Sequence, residues 1–152
     1  QELAVVALEC SAQSIRHDTE KLLATDGSAY EIATAYLRRQ RDVLKGCRMG
    51  RMTFDADVLN TPELIEPVKR TFVWLLEALT VLFERGRDQG EFAADIDARN
   101  LASLVVATVQ GGYVLARATR DTDAFDAAVE GAAALLRKAT EPLITEVSDH
   151  SD

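Results

Sequence analysis

Apolar side chains return every three or four positions along most of the chain, with charged residues between them, which is the period of amphipathic helices. The first run spans about Glu2 to Ala24. One of its stripes is Leu8, Ala12, Ile15, Thr19 and Leu22; a second, roughly opposite, holds Leu3, Val6, Cys10 and Ser14 and ends at His17. A helix apolar on two sides is expected to touch the core with one side and a second domain or a cavity with the other. Asp26-Gly27 stops it. A second helix is predicted from Ser28 to about Lys45, with Ala29, Ile32, Ala33, Tyr36, Leu37, Val43 and Leu44 on one face. Ser28 and Glu31 have the spacing of a capping box, and Gly46 follows as a stop.

The next segment, residues 46–61 (GCRMGRMTFDADVLNT), has no helical period and is expected to form a loop with one short helix. Thr61-Pro62-Glu63 opens a third long helix, with Thr61 as its cap, that runs to about Gln89. Its main face carries Ile65, Val68, Phe72, Leu75, Leu79 and Phe83, broadened by Trp74, Ala78 and Val81; Pro67 is expected to bend it slightly. After a connector through Gly90 and Phe92, Asp97 caps a fourth long helix, Ala98 to Ala118, almost uncharged from Leu101 to Ala116. A helix hydrophobic nearly all round is expected to be buried nearly all round. Asp121 or Asp123 caps a fifth, to about Thr140. The pattern predicts an all-α domain over residues 1–146, with five long helices plus one short one and a polar tail at 147–152.

Length and composition agree with this pattern. The chain has 152 residues, 47% of them hydrophobic and 6% aromatic, enough for one compact core. A net charge of −8 argues against these residues gripping phosphates, because nucleic-acid modules present a basic face. Cys10 and Cys47 have neither disulfide-framework nor zinc spacing, so the cytoplasm is the expected compartment. Charge interrupts every apolar stretch short of a membrane span. Gln1 stands where an initiator Met would, and a preceding segment is expected.

Catalysis is not indicated. A di-metal bundle needs several inward glutamates and Glu-x-x-His pairs, and no Glu-x-x-His occurs; His17 and Glu20 stand in the reverse order, and His150 lies in the tail. Nucleophile elbows, phosphate loops and His-Glu-x-x-His are missing too. No enzyme, cofactor or metal is therefore expected. The fourth and fifth helices are rich in small residues, including Ala107, Gly111, Gly112 and Ala132–Ala134. Such flat faces allow close helix approach, either within the chain or about a two-fold axis as a four-helix bundle in a homodimer. Residues expected on a dimer face are Gly111, Leu115, Phe125, Val129, Ala132 and Leu136.

A ligand cavity is the third candidate, since pockets combine aromatics with a few polar groups. Its expected lining is His17, Met52, Phe54, Phe72, Trp74, Gln110 and Tyr113, suited to a small apolar or aromatic effector. Each has a plainer reading: core for Phe72 and the methionines, a structural histidine for His17, and a dimer contact or backbone bonding for Gln110. Arg38, Arg39, Arg41, Lys45, Arg48 and Arg51 form the one basic cluster. It reads first as a solvated face, with an anionic effector or an interdomain contact as alternatives.

The stretch Gly90-Glu91-Phe92 through Asp95-Ile96-Asp97, leading into Leu101–Ala118 with its Gln110-Gly111 step, resembles the C-terminal half of TetR/AcrR-type regulators. Gly46-Cys47-Arg48-Met49-Gly50 looks like a "G-C-x-x-G" element of one branch of that family, and Glu2–Leu8 like the start of the helix after its DNA-binding domain. The resemblance implies a bundle whose first helix joins a DNA-reading helix-turn-helix absent from these residues. It implies that the irregular segment and third helix wall a pocket and that the last two helices make the dimer. It also implies bacterial repression in which an effector releases operator DNA. The competing expectation is a helical dimer serving as a scaffold without a cavity.

Overall fold

A computed structural model describes residues 2–140, and within them the backbone forms seven helices and no strand. The expected tail at 147–152 lies outside the described residues. The helices are α1 (Glu2–Leu23), α2 (Ala29–Arg38), α3 (Arg48–Met52), α4 (Ala56–Leu59), α5 (Pro62–Asp88), α6 (Ala98–Thr119) and α7 (Asp123–Thr140). Five are long, as the period predicts, but residues 46–61 hold two short helices where one was expected. Helix α5 runs through the middle of the bundle, packed against α1 on one side and α6 on another, and α7 lies along α6. The main core joins Ile32, Leu37, Leu79, Phe83, Val105 and Leu136; a smaller cluster of Leu8, Met49 and Val68 seats α3 between α1 and α5.

Helix α2 is shorter than its apolar pattern. Its start is the expected capping box: the Glu31 amide donates to Ser28 Oγ at 3.1 Å, and the Ser28 amide to Glu31 Oε2 at 2.8 Å. Its end falls at Arg38, where Arg39 turns extended (φ −58°, ψ 148°). Arg41 folds back there, donating from Nη2 to the carbonyl of Tyr36 (2.6 Å) and from Nη1 to those of Leu37 (2.8 Å) and Arg39 (3.1 Å). A side chain beyond the helix thus satisfies carbonyls that have no partner within it. Arg38, in the last turn, forks onto Glu130 of α7 at 2.8 and 2.9 Å, which holds the exposed Glu130 carboxyl below the usual carboxylate range.

The connector between α5 and α6 explains the Gly-Glu-Phe triplet. Gly90 closes α5 in the left-handed region (φ 76°), with the Glu91 amide reaching back to the Gly86 carbonyl at 2.9 Å. The Glu91 carboxylate accepts the amides of Ala29 (2.9 Å) and Tyr30 (2.7 Å), capping the positive end of α2 from 61 residues away. Phe92 is buried edge-on against Phe83, with ring centroids 5.7 Å apart. Gly86 leaves that ring room: a Cβ there would lie 2.8 Å from Phe92. Asp97 caps α6 through the amides of Arg99 and Asn100. Glu91→Ala is expected to cost about 1–2 kcal/mol by stripping two cap bonds. Urea unfolding checks this, and an unchanged midpoint would refute it.

Two other expectations are corrected. Thr61 occupies the cap position of α5, but its hydroxyl donates backward to the Asp57 carbonyl at 2.6 Å and caps nothing. Helix α6, long and apolar enough by composition to cross a membrane, buries one face in the bundle and leaves Val114 and Leu115 54% and 51% exposed.

Candidate functional site

Where α2 stops early, the chain from Arg39 to Arg48 borders a cavity of about 770 Å³ walled also by α1, α5 and α6. Helix α1 supplies Cys10, Ser14 and Ile15 to its wall, α5 supplies Thr71, Phe72 and Leu75, and α6 supplies Val109, Gln110 and Tyr113. Tyr36 of α2 and Met49 of α3 complete the apolar part. A second hollow of about 740 Å³ opens on the other side of the Gln110–Tyr113 stretch. It shares Gly46, Cys47, Phe72, Gln110 and Tyr113 with the first, and Phe54, Val114 and Arg117 border its outer side. Both volumes lie within the range of small-molecule sites.

The Gly-Cys-x-x-Gly segment builds the partition between these hollows. Gly46 takes a left-handed conformation (φ 72°) against the Tyr113 side chain, and Cys47 Sγ accepts the Gly50 amide at 3.5 Å to start α3. Gly50 lies directly against the Gln110 amide oxygen, where a Cβ would collide with it. Tyr113 stacks on Phe125 with centroids 5.1 Å apart.

The cavity is electrostatically lopsided. Arg39, Arg41, Lys45 and Arg48 line it, against the carboxylates of Asp18 and Asp42. The guanidinium carbons of Arg39 and Arg41 lie 4.9 and 5.1 Å from the centre of the Tyr36 ring, within cation–π range. Burial pushes the Tyr36 phenol above its ordinary value, the two arginines opposing, and raises Tyr113 similarly, so both are neutral donors at neutral pH. Arg41 is pushed down, first by burial and then by the charge of Arg39.

Of the residues expected to line a pocket, the structure brings Phe72, Gln110 and Tyr113 to both hollows and Phe54 to the outer one. Met52 packs against the Leu8–Met49–Val68 cluster instead. Trp74 lies in a separate cleft between α1 and α5 under the Arg16 guanidinium, 4.9 Å away, and His17 is exposed and lines neither hollow. The pattern misses Tyr36, Arg39 and Arg41 as lining; the basic cluster is the signal for the two arginines, while Tyr36 falls on the apolar face of α2 and carries none.

The expected dimer face also needs correction. Phe125, Val129, Ala132 and Leu136 are at most 4% exposed within the single chain, so they have no surface to offer a second copy. Gly111 and Leu115 do face outward, with Val114 on α6 and Leu135 on α7. Among the described residues, no group of three or more His, Cys, Asp or Glu side chains is placed to hold a metal ion.

The structure is similar to two solved ones. A TetR transcriptional regulator from Chloroflexus aurantiacus is 25% identical, with a TM-score of 0.80 over 90% of this chain and 72% of that one. A TetR-family transcriptional regulator from Cytophaga hutchinsonii, 19% identical, shares the fold with a TM-score of 0.78 over 91% of this chain and 72% of its own. No curated protein matches the sequence. The sequence does match the family described as "Tetracyclin repressor-like, C-terminal domain" over residues 27–132, most of the length from α2 into α7. This chain belongs to that family, and is the C-terminal domain of a TetR-type transcription regulator.

Proposed function

We propose that this domain senses a small effector in the 770 Å³ cavity and dimerises through the outward faces of α6 and α7, so that effector binding releases operator DNA from a helix-turn-helix domain outside these residues. The observation that carries the reading is the cavity itself, walled by α1, α5 and α6 together. A ligand there touches the helix expected to lead to the DNA-reading head and the helix expected to pair with a second copy. Displacing one relative to the other changes the spacing of two heads. The net charge of −8 supports a DNA contact made by other residues. The protein is read as a bacterial cytoplasmic repressor.

Dimerisation has its own support. Gly111 and Gly131 lie inside α6 and α7, and a Cβ on either would meet nothing within 4 Å in the single chain. A mid-helix glycine costs about 1 kcal/mol relative to alanine, so an interior with no need of it wants another reason. Close approach of a partner helix is that reason, beside the exposed Val114, Leu115 and Leu135.

A thermal-shift screen with small apolar and aromatic compounds tests the sensing half. A ligand present at a hundredfold its Kd stabilises the native state by about 2.7 kcal/mol, a rise of several degrees in Tm. A library without a single hit, on a protein that light scattering shows to be dimeric, would favour the scaffold reading instead.

A further inference from the structure

We infer that the effector of this cavity is an organic anion, a carboxylate on an apolar body, held by the cluster of Arg39, Arg41 and Lys45 beside Tyr36. The inference rests on the sensing role proposed above and adds the chemical class of the ligand.

Two observations carry it. The wall holds four cations against two carboxylates, in a chain whose overall charge is strongly negative. Among the described residues, none of those four cations has a carboxylate oxygen within 4.0 Å; the ion pairs of α1, α2 and α5 all use other residues, as in Arg16–Glu20, Arg38–Glu130 and Arg70–Glu9. Arg39 and Arg41 instead share one aromatic ring, two like charges drawn together without a counter-ion. Two like charges held close without a counter-ion repel, and an anion in the cavity would relieve that repulsion through charge-assisted contacts. The lining from Ile15, Phe72, Leu75 and Val109 is apolar, so the rest of the ligand should be too. Asp18 and Asp42, on the same wall, disfavour a second negative group at that rim.

The experiment is calorimetric titration with 2-naphthoate and its neutral isostere 2-naphthamide, on the wild type, on Arg41→Met, and on the double variant Arg39→Gln with Lys45→Gln. The double variant keeps the test decisive if Arg41→Met fails to fold, because Arg41 also terminates α2. The acid is expected to bind at least roughly tenfold tighter than the amide, as a charge-assisted bond in a partly dry site allows, and to lose that margin in the double variant. Equal affinities in the wild type, or a margin that survives the double variant, would overturn the inference while leaving the cavity as a sensor of neutral compounds. Binding of neither compound at millimolar concentration would count against the sensing role itself as well as the anion.

Discussion

Arg41→Ala is expected to lower the stability of the domain by about 3 kcal/mol, a drop of roughly 10 °C in melting temperature. The side chain donates to the carbonyls of Tyr36, Leu37 and Arg39, so its removal leaves the end of α2 with part-buried acceptors and no donor. Each bond made by a charged donor is worth about 1.5–3 kcal/mol. Against this stands relief from burying the guanidinium and from the neighbouring charge of Arg39, both of which already depress the Arg41 pKa. The net is less than the three bonds together, but still large. Arg41→Lys separates geometry from charge, because an ammonium cannot fork across three carbonyls. It should fall between wild type and alanine. A loss below about 1 kcal/mol for the alanine variant would show that solvent serves the end of α2 as well as Arg41 does.

Leu115→Glu is expected to turn a dimer into a monomer at micromolar concentration while leaving the fold intact. The side chain is 51% exposed, between Val114 and the open Gly111 on the outward face of α6. In a two-fold interface each substitution appears twice. Truncating or charging one central apolar contact costs about 2 kcal/mol, so the pair costs about 4, near a thousandfold in Kd. Surface substitutions that bury nothing change the stability of a folded chain by about 0.5 kcal/mol or less, so the circular dichroism spectrum of the monomer should be unchanged. Light scattering behind size exclusion gives the answer directly. A variant that elutes at dimer mass would move the interface elsewhere, and a wild type that elutes as a monomer would remove it.

Much of this fold is legible in the bare sequence, since the signals are local. The Ser28 capping box, Pro62 at the start of α5 and Asp97 before α6 each stand where their chemistry places them. The end of α2 is not legible, because Val43 and Leu44 continue its apolar stripe after the backbone has left the helix. What ends it is Arg41 reaching backward, a contact that no period records. The lining of the hollow is only partly legible. Periodicity says which face of a helix is apolar; it does not say where around the bundle that face points. Phe72, Gln110 and Tyr113 border the hollow, whereas Trp74, equally apolar and two residues from Phe72, faces another cleft. For the same reason Phe125 and Val129 were assigned to a partner when they pack inside their own chain. Their helix turns Phe125, Val129 and Leu136 inward while leaving Leu135 outside, a division the spacing alone does not assign.

The α5–α6 connector has a practical corollary for anyone who wants to attach a reporter to this domain. Four of its residues have duties: Gly90 sets the reversal, Glu91 ties down a distant helix, Phe92 plugs the interior, and Asp97 begins the following helix. The segment joining α5 to α6 therefore has little slack to lend, and splicing foreign sequence there would loosen α2 as well as the hairpin. The exposed turn at Ala24–Asp26 carries none of those duties, and it is the place to graft a fluorophore or tag.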